Sequence, residues 1–159
     1  VVPDVLASVY LVTGEATKYL ETVQRLIQLA PKEPRNYIRL AGVHLARGHF
    51  KEGREQLDKA IEVNPDYTPA YGRLGVVYYV QRNYEEAITW LSQAIERGTP
   101  RVEYYYELGY SYIFLNDCEK AIPALQKALE LDPNCDIAKS GLEQCGVEVP
   151  SDEGNEEKE

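Results

Sequence analysis

The sequence predicts an all-α fold, a solenoid of stacked helix pairs, and three observations predict it. First, stretches beginning at Pro34, Thr68 and Val102 repeat at a constant spacing of 34 residues. Place 4 of these units is Tyr37, Tyr71 and Tyr105, and place 7 is Leu40, Leu74 and Leu108. Place 24 is Leu57, Leu91 and Leu125, and place 27 is Ala60, Ala94 and Ala128. Second, each unit carries two apolar stripes with the spacing of one helix face, separated by turn-forming residues. Third, units close at Asn64-Pro65, Gly98-Thr99-Pro100 and Asp132-Pro133, where proline ends one helix before the next begins. A period of this length in helix-forming residues describes stacked hairpins, each burying its apolar face only against its neighbours.

Residues 1–33 read as a divergent helical pair, about Pro3–Thr13 and Ala16–Leu29. Leu6 and Tyr10 fall at places 7 and 11, and Pro31 falls where a closing proline belongs. Tyr19, however, stands where the second helix should carry a small residue. The unit 34–67 breaks at Gly48-His49, residues suited to a turn. In the unit 68–101 the first stripe is Tyr71, Leu74, Gly75 and Tyr78; after a break at Arg82-Asn83 the second is Ala87, Leu91, Ala94 and Ile95. The unit 102–135 breaks at Asn116-Asp117, and its Pro123 lies several residues into the second helix, where it removes a hydrogen bond and bends the backbone. Gly75 and Gly109, with Ala87 and Ala121 opposite, let paired backbones approach closely, and Tyr and Leu fill the space around them.

Residues 136–147 begin a fourth unit and stop at Gly146. This lone helix, with Leu142 inward and Lys139 and Glu143 outward, caps the apolar end of the stack. Residues 148–159 form an acidic tail; from Ser151 it carries five acids against one lysine, a composition that predicts disorder.

With 159 residues the chain has the size of one domain. It begins at Val1 and contains no Met, so a fragment of a longer protein is expected, which could be membrane-anchored as a whole. The net charge of -9 argues against nucleic acid or an anionic bilayer as partner, because phosphate needs a basic field. No apolar run is long enough to cross a membrane, so no direct membrane insertion is expected, and the expected location is cytoplasmic. Cys118, Cys135 and Cys145 are odd in number and form no CxxC pair. Three reduced thiols are the expectation, with a Cys135–Cys145 bridge as the alternative.

The pattern Tyr71-x2-Leu74-Gly75-x2-Tyr78 followed by Ala87-x3-Leu91-x2-Ala94 resembles the tetratricopeptide repeat. So does Tyr105-x2-Leu108-Gly109-x2-Tyr112 followed by Ala121-x3-Leu125-x2-Ala128 and closed by Pro133. The unit at Pro34 departs from it at Ala41, His44 and Gly53, and Thr99 displaces the closing proline to Pro100. The resemblance covers the three repeats of residues 34–135, about two thirds of the chain. It implies a right-handed α-solenoid of stacked antiparallel helix pairs, with first helices lining a concave groove that binds peptides or partner proteins.

In that geometry places 2, 5, 6, 9, 12 and 13 face the groove. They supply a basic strip, Arg35, Arg39 and Arg73, together with Ile38. They also supply an apolar and aromatic patch of Val76, Tyr79, Tyr106, Tyr110, Ile113 and Phe114. Exposed apolar surface of that extent marks an interaction site. The function expected is an adaptor whose groove takes a peptide with acidic groups for the guanidiniums and apolar anchors for the tyrosines. The alternative is a homodimer or larger assembly through the same patch. Family members that clamp the terminal carboxylate of chaperones use Lys at place 5 and Asn at place 9. Ile38 and Gly42 stand there, so that specificity is not expected. No enzyme, cofactor or metal is predicted: His44 and His49 are the only imidazoles, and no phosphate-binding loop, GxSxG or HExxH occurs.

Overall fold

A computed structural model describes residues 14–98 and 101–149. The helix expected over Pro3–Thr13, the Thr99-Pro100 junction and the acidic residues from Pro150 onward lie outside that set. The described residues form eight helices and no strand: α1 (Ala16–Leu29), α2 (Pro34–Ala46), α3 (Phe50–Val63), α4 (Thr68–Val80), α5 (Tyr84–Glu96), α6 (Val102–Phe114), α7 (Cys118–Leu131) and α8 (Asp136–Gln144). This is an all-α helical-repeat solenoid. None of these helices is long and apolar enough to cross a membrane.

The helix ends follow from local chemistry. Pro34 and Pro69 sit in the first turns of α2 and α4, where a missing N–H goes unnoticed. The Asp117 carboxylate accepts from the Lys120 N–H at 3.1 Å, capping α7. Between units, the side chains of Asn64 and Asp132 accept from the backbone N–H two residues on, each at 3.0 Å, which closes the turn around the intervening proline. Within units, place 15 lies in the left-handed region every time: Gly48 at φ 75°, Arg82 at 62° and Asn116 at 59°. Pro123 is exposed on α7, which continues through it as one helix; water can satisfy the carbonyl it leaves unpaired.

Packing repeats with the same regularity. Leu57, Leu74, Leu91 and Leu125 are fully buried, each removal from water contributing about 2 kcal/mol. A Cβ added at Gly75 would lie 2.6 Å from Leu91 Cγ, and one at Gly109 2.5 Å from Leu125 Cγ. The leucine of the second helix therefore occupies the space that the glycine leaves on the first. In the first repeat the roles are exchanged: Gly53, on the second helix, lies under Leu45 of the first, and a Cβ there would lie 2.5 Å from Leu45 Cδ2. The place-4 hydroxyls of Tyr37 and Tyr71 donate to the carbonyls of Pro31 and Pro65, at 2.9 and 2.8 Å, tying each unit to the end of the one before.

Paired helices α2–α3, α4–α5 and α6–α7 pack most extensively, and each second helix also packs on the next first helix. The first helices touch as well, α4 on α6 and α6 on α8, with no comparable contact between α5 and α7. Closer spacing on one side makes that side the inside of the bend, so over α4, α6 and α8 the first helices line the concave wall.

The cysteines depart from expectation. The bridge joins Cys118 to Cys145, with Cα atoms 5.5 Å apart, and Cys135 is a buried free thiol. Because α8 runs back antiparallel to α7, its end returns to the start of α7. Cys135 and Cys145 instead lie at opposite ends of α8, about 15 Å of helix rise apart, beyond disulfide reach. This bond stands where three reduced thiols were expected. Just beyond it, Val147 and Val149 pack against the same end of the core.

Candidate functional site

The concave wall divides into two halves of different chemistry. The N-terminal half is a cleft of about 720 Å³ formed where α1 meets α2 and α4. Ile38 and Gly42 lie on its floor, Tyr19 comes from α1, and Arg39, Arg47 and Arg73 surround it. Ile38 is largely buried in the first core cluster and presents only its remaining surface to the cleft. At Gly42 nothing lies within 4 Å of where a Cβ would stand, so the wall is open there. The Arg39 guanidinium donates to Asn36 Oδ1 at 3.4 Å, and Asn36 in turn donates to the Leu26 carbonyl at 3.4 Å. This relay holds α2 and its arginine against α1. Arg73 occupies the equivalent place one unit on and is exposed. Arg35 is exposed at the start of α2 and lies outside the cleft lining.

The C-terminal half is aromatic. Tyr79 meets Tyr84 edge-on at 6.0 Å, Tyr84 stacks on Phe114 at 4.6 Å, and Phe114 lies 6.1 Å from Tyr110. Phe114 remains half exposed, as does Val80 beside this row. Val76 is partly buried against the middle core cluster, and Tyr106 and Ile113 against the last one. The Tyr110 hydroxyl donates to the Ile137 carbonyl at 3.2 Å and accepts from Gln144 Nε2 at 3.4 Å, so the capping helix fixes the end of this row.

Among these rings sits a carboxylate. Glu107 is 9 % exposed and its Oε2 has no hydrogen-bond partner. Burial, reinforced by the charge of Glu103 and opposed by Arg101, pushes its pKa up to about 7. Its charge acts on the tyrosines in return: Tyr79 is pushed up to about 12, chiefly by burial and then by Glu107. Tyr106 is raised by the same two causes in the same order.

Places 3 and 5 meet between units, as Tyr104 and Gly72 show. Tyr104 covers Gly72 so closely that a Cβ there would lie 2.1 Å from the phenol oxygen. Asn36 and Ala70, at the same place as Tyr104, are buried too. Sequence reasoning missed Arg47 and Tyr84 as members of the site, and it missed the burial of Glu107, which place counting puts on the groove face. Arg47 ends α2 just before the turn glycine and could have been found by carrying the groove face one place further. Tyr84 belongs to a second helix, and no first-helix pattern points to it. Glu107 shares the place of Arg39 and Arg73, but nothing in its spacing signals burial. Elsewhere, among the described residues, no three His, Cys, Asp or Glu side chains converge as metal ligands would.

The tetratricopeptide repeat family matches residues 38–101 and again residues 102–135. No curated protein matches the chain. Solved structures do. MamA from Desulfovibrio magneticus RS-1 aligns with TM-score 0.76 at 21% identity, covering 90% of this chain and 89% of its own. YrrB, described as a TPR protein with an unusual peptide-binding site, aligns with TM-score 0.72 at 20% identity over 86% of this chain and 71% of its own. A thermophilic TPR protein of Thermus thermophilus aligns with TM-score 0.69 at 23% identity over 89% of this chain and 79% of its own. At such identities the likeness speaks for the fold.

Proposed function

Since the chain belongs to the tetratricopeptide repeat family, we propose that it is a non-enzymatic protein–protein interaction module holding an extended partner segment along its concave wall. The single observation that carries this reading is the cleft of about 720 Å³ ringed by Arg39, Arg47 and Arg73 in a chain of net charge -9. A basic recess in an acidic molecule recruits carboxylates, and guanidiniums hold them in bidentate pairs. The rings of Tyr79, Tyr110 and Phe114 then offer apolar anchorage further along the same wall. Acidic groups of the partner lie toward α2, and large apolar groups toward α6.

The test is selection of a displayed library of random twelve-residue peptides on the full chain, followed by fluorescence anisotropy of the enriched peptides. Enriched peptides carry Glu or Asp, and Arg39→Glu with Arg73→Glu weakens them at least a hundredfold, about 3 kcal/mol. The circular dichroism of the double variant stays that of the parent. Unaltered affinity in a folded double variant refutes the basic recess. The half-exposed Phe114 and Val80 favour a second reading, assembly of copies through the aromatic row. Light scattering across a concentration series separates the two, because a monomer at high concentration removes the second.

A further inference from the structure

We propose that Glu107 is the docking point for a lysine or arginine side chain of the bound segment, received beside the phenols of Tyr79 and Tyr106. This inference rests on the groove reading above and adds the chemistry and register of its occupant. Arg39, Arg73 and Glu107 hold the same place in three successive units, so the wall changes sign between its second and third repeat. Glu107 Oε2 is buried without a hydrogen-bond partner, a state that disfavours the folded chain unless something compensates it. Among the described residues, the cation acting on it is Arg101, which already pairs with Glu103 at 3.5 Å and lies over the Tyr104 ring at 5.7 Å.

An ammonium or guanidinium group answers both halves of this site. It supplies the opposite charge, and it is attracted to the faces of neighbouring aromatic rings. An apolar side chain would leave the carboxyl unsatisfied, and an acidic one would be repelled. The groove is therefore dipolar, and a segment lying in it has one preferred direction. Neighbouring helix axes are about 10 Å apart and an extended chain advances about 3.3 Å per residue. The base thus falls about three residues from the acid opposite Arg73.

The same peptide selection, run in parallel on the parent chain and on Glu107→Gln, tests this. Parent-selected peptides carry Lys or Arg about three residues from an acid, and Glu107→Gln retains the acid but loses the base. In anisotropy, replacing that lysine by norleucine weakens binding to the parent about tenfold, about 1.4 kcal/mol, and leaves binding to Glu107→Gln unchanged. The norleucine comparison on the parent does not depend on how the variant folds. Acidic peptides without an accompanying base, or a base enriched equally on Glu107→Gln, overturn the proposal while the groove reading stands. A library from which no peptide is enriched overturns both.

Discussion

At Glu107 the environment of one side chain is written into the stability of the whole chain. Its carboxyl has an ordinary value of 4.5 and is pushed up to about 7 in the folded protein, so folding favours the neutral form. The groups acting on it or responding to it are Glu103 and Arg101 at the start of α6, Tyr79 from α4 and Tyr106 on its own helix. Below its ordinary value the residue brings no charge penalty. As pH rises from about 4.5 to about 7, stability is lost, and above that the loss is constant. Glu107→Gln removes the titration. Urea unfolding of the two proteins should therefore diverge between about pH 4 and pH 8, the variant becoming the more stable by on the order of 3 kcal/mol at most. Equal pH profiles would show that Glu107 is solvated after all. Sequence alone placed Glu107 beside Arg39 and Arg73 by counting, yet could not see its burial. Burial is a property of the packed chain, fixed when one hairpin leans on the next, and spacing along a single helix does not report it. Arg82 and Asn116 were legible as turn residues for the opposite reason: the left-handed backbone at place 15 is a local property, and Gly48 marks it in the first repeat.

Within elements, the glycines divide into those that a neighbour needs and those that it does not. Gly75 and Gly109 lie under Leu91 and Leu125, with less than 3 Å available for a methyl group, whereas Gly42 faces open space. Gly75→Ala and Gly109→Ala should each lower stability by about 1–3 kcal/mol through overpacking. Gly42→Ala should raise it by up to about 1 kcal/mol, because alanine restrains the unfolded chain and suits a helix. Thermal melts of the three variants check the ordering, and a destabilised Gly42→Ala would mean that the wall is closed at that point. Helix positions were the most legible part of the fold, since a 34-residue period and helical stripes are properties of the chain in order. The boundaries of Ala16–Leu29 could be read even in the divergent first segment. Cysteine pairing could not, because Cys118 and Cys145 are neighbours only by virtue of α8 folding back along α7. The Tyr84–Phe114 stack was hidden for a related reason: it joins a second helix to the first helix of the following unit.

At the scale of the molecule, stacking gathers Arg39, Arg47 and Arg73 around one cleft and sets the row of Tyr79, Tyr84, Phe114 and Tyr110 apart from it. The basic strip was legible as a repeated place, whereas its Arg47 and the Tyr84 link were not. Each hairpin depends on its neighbours, so the last one depends on what closes it. Val147 and Val149 cover its end, and the Cys118–Cys145 bond fastens α8 across it. That covalent ring also fixes how the chain answers a mechanical load. Drawn out from its two termini in an optical trap, the protein cannot release the span from Cys118 to Cys145, a sequence separation of 27, about 90–100 Å of contour at about 3.6 Å per residue. Adding dithiothreitol should restore that length to the final rip, and an extension indifferent to reductant would mean that no such tether forms. The end hairpin is thus a knot in the rope, letting the earlier repeats unravel while it keeps its own loop gathered.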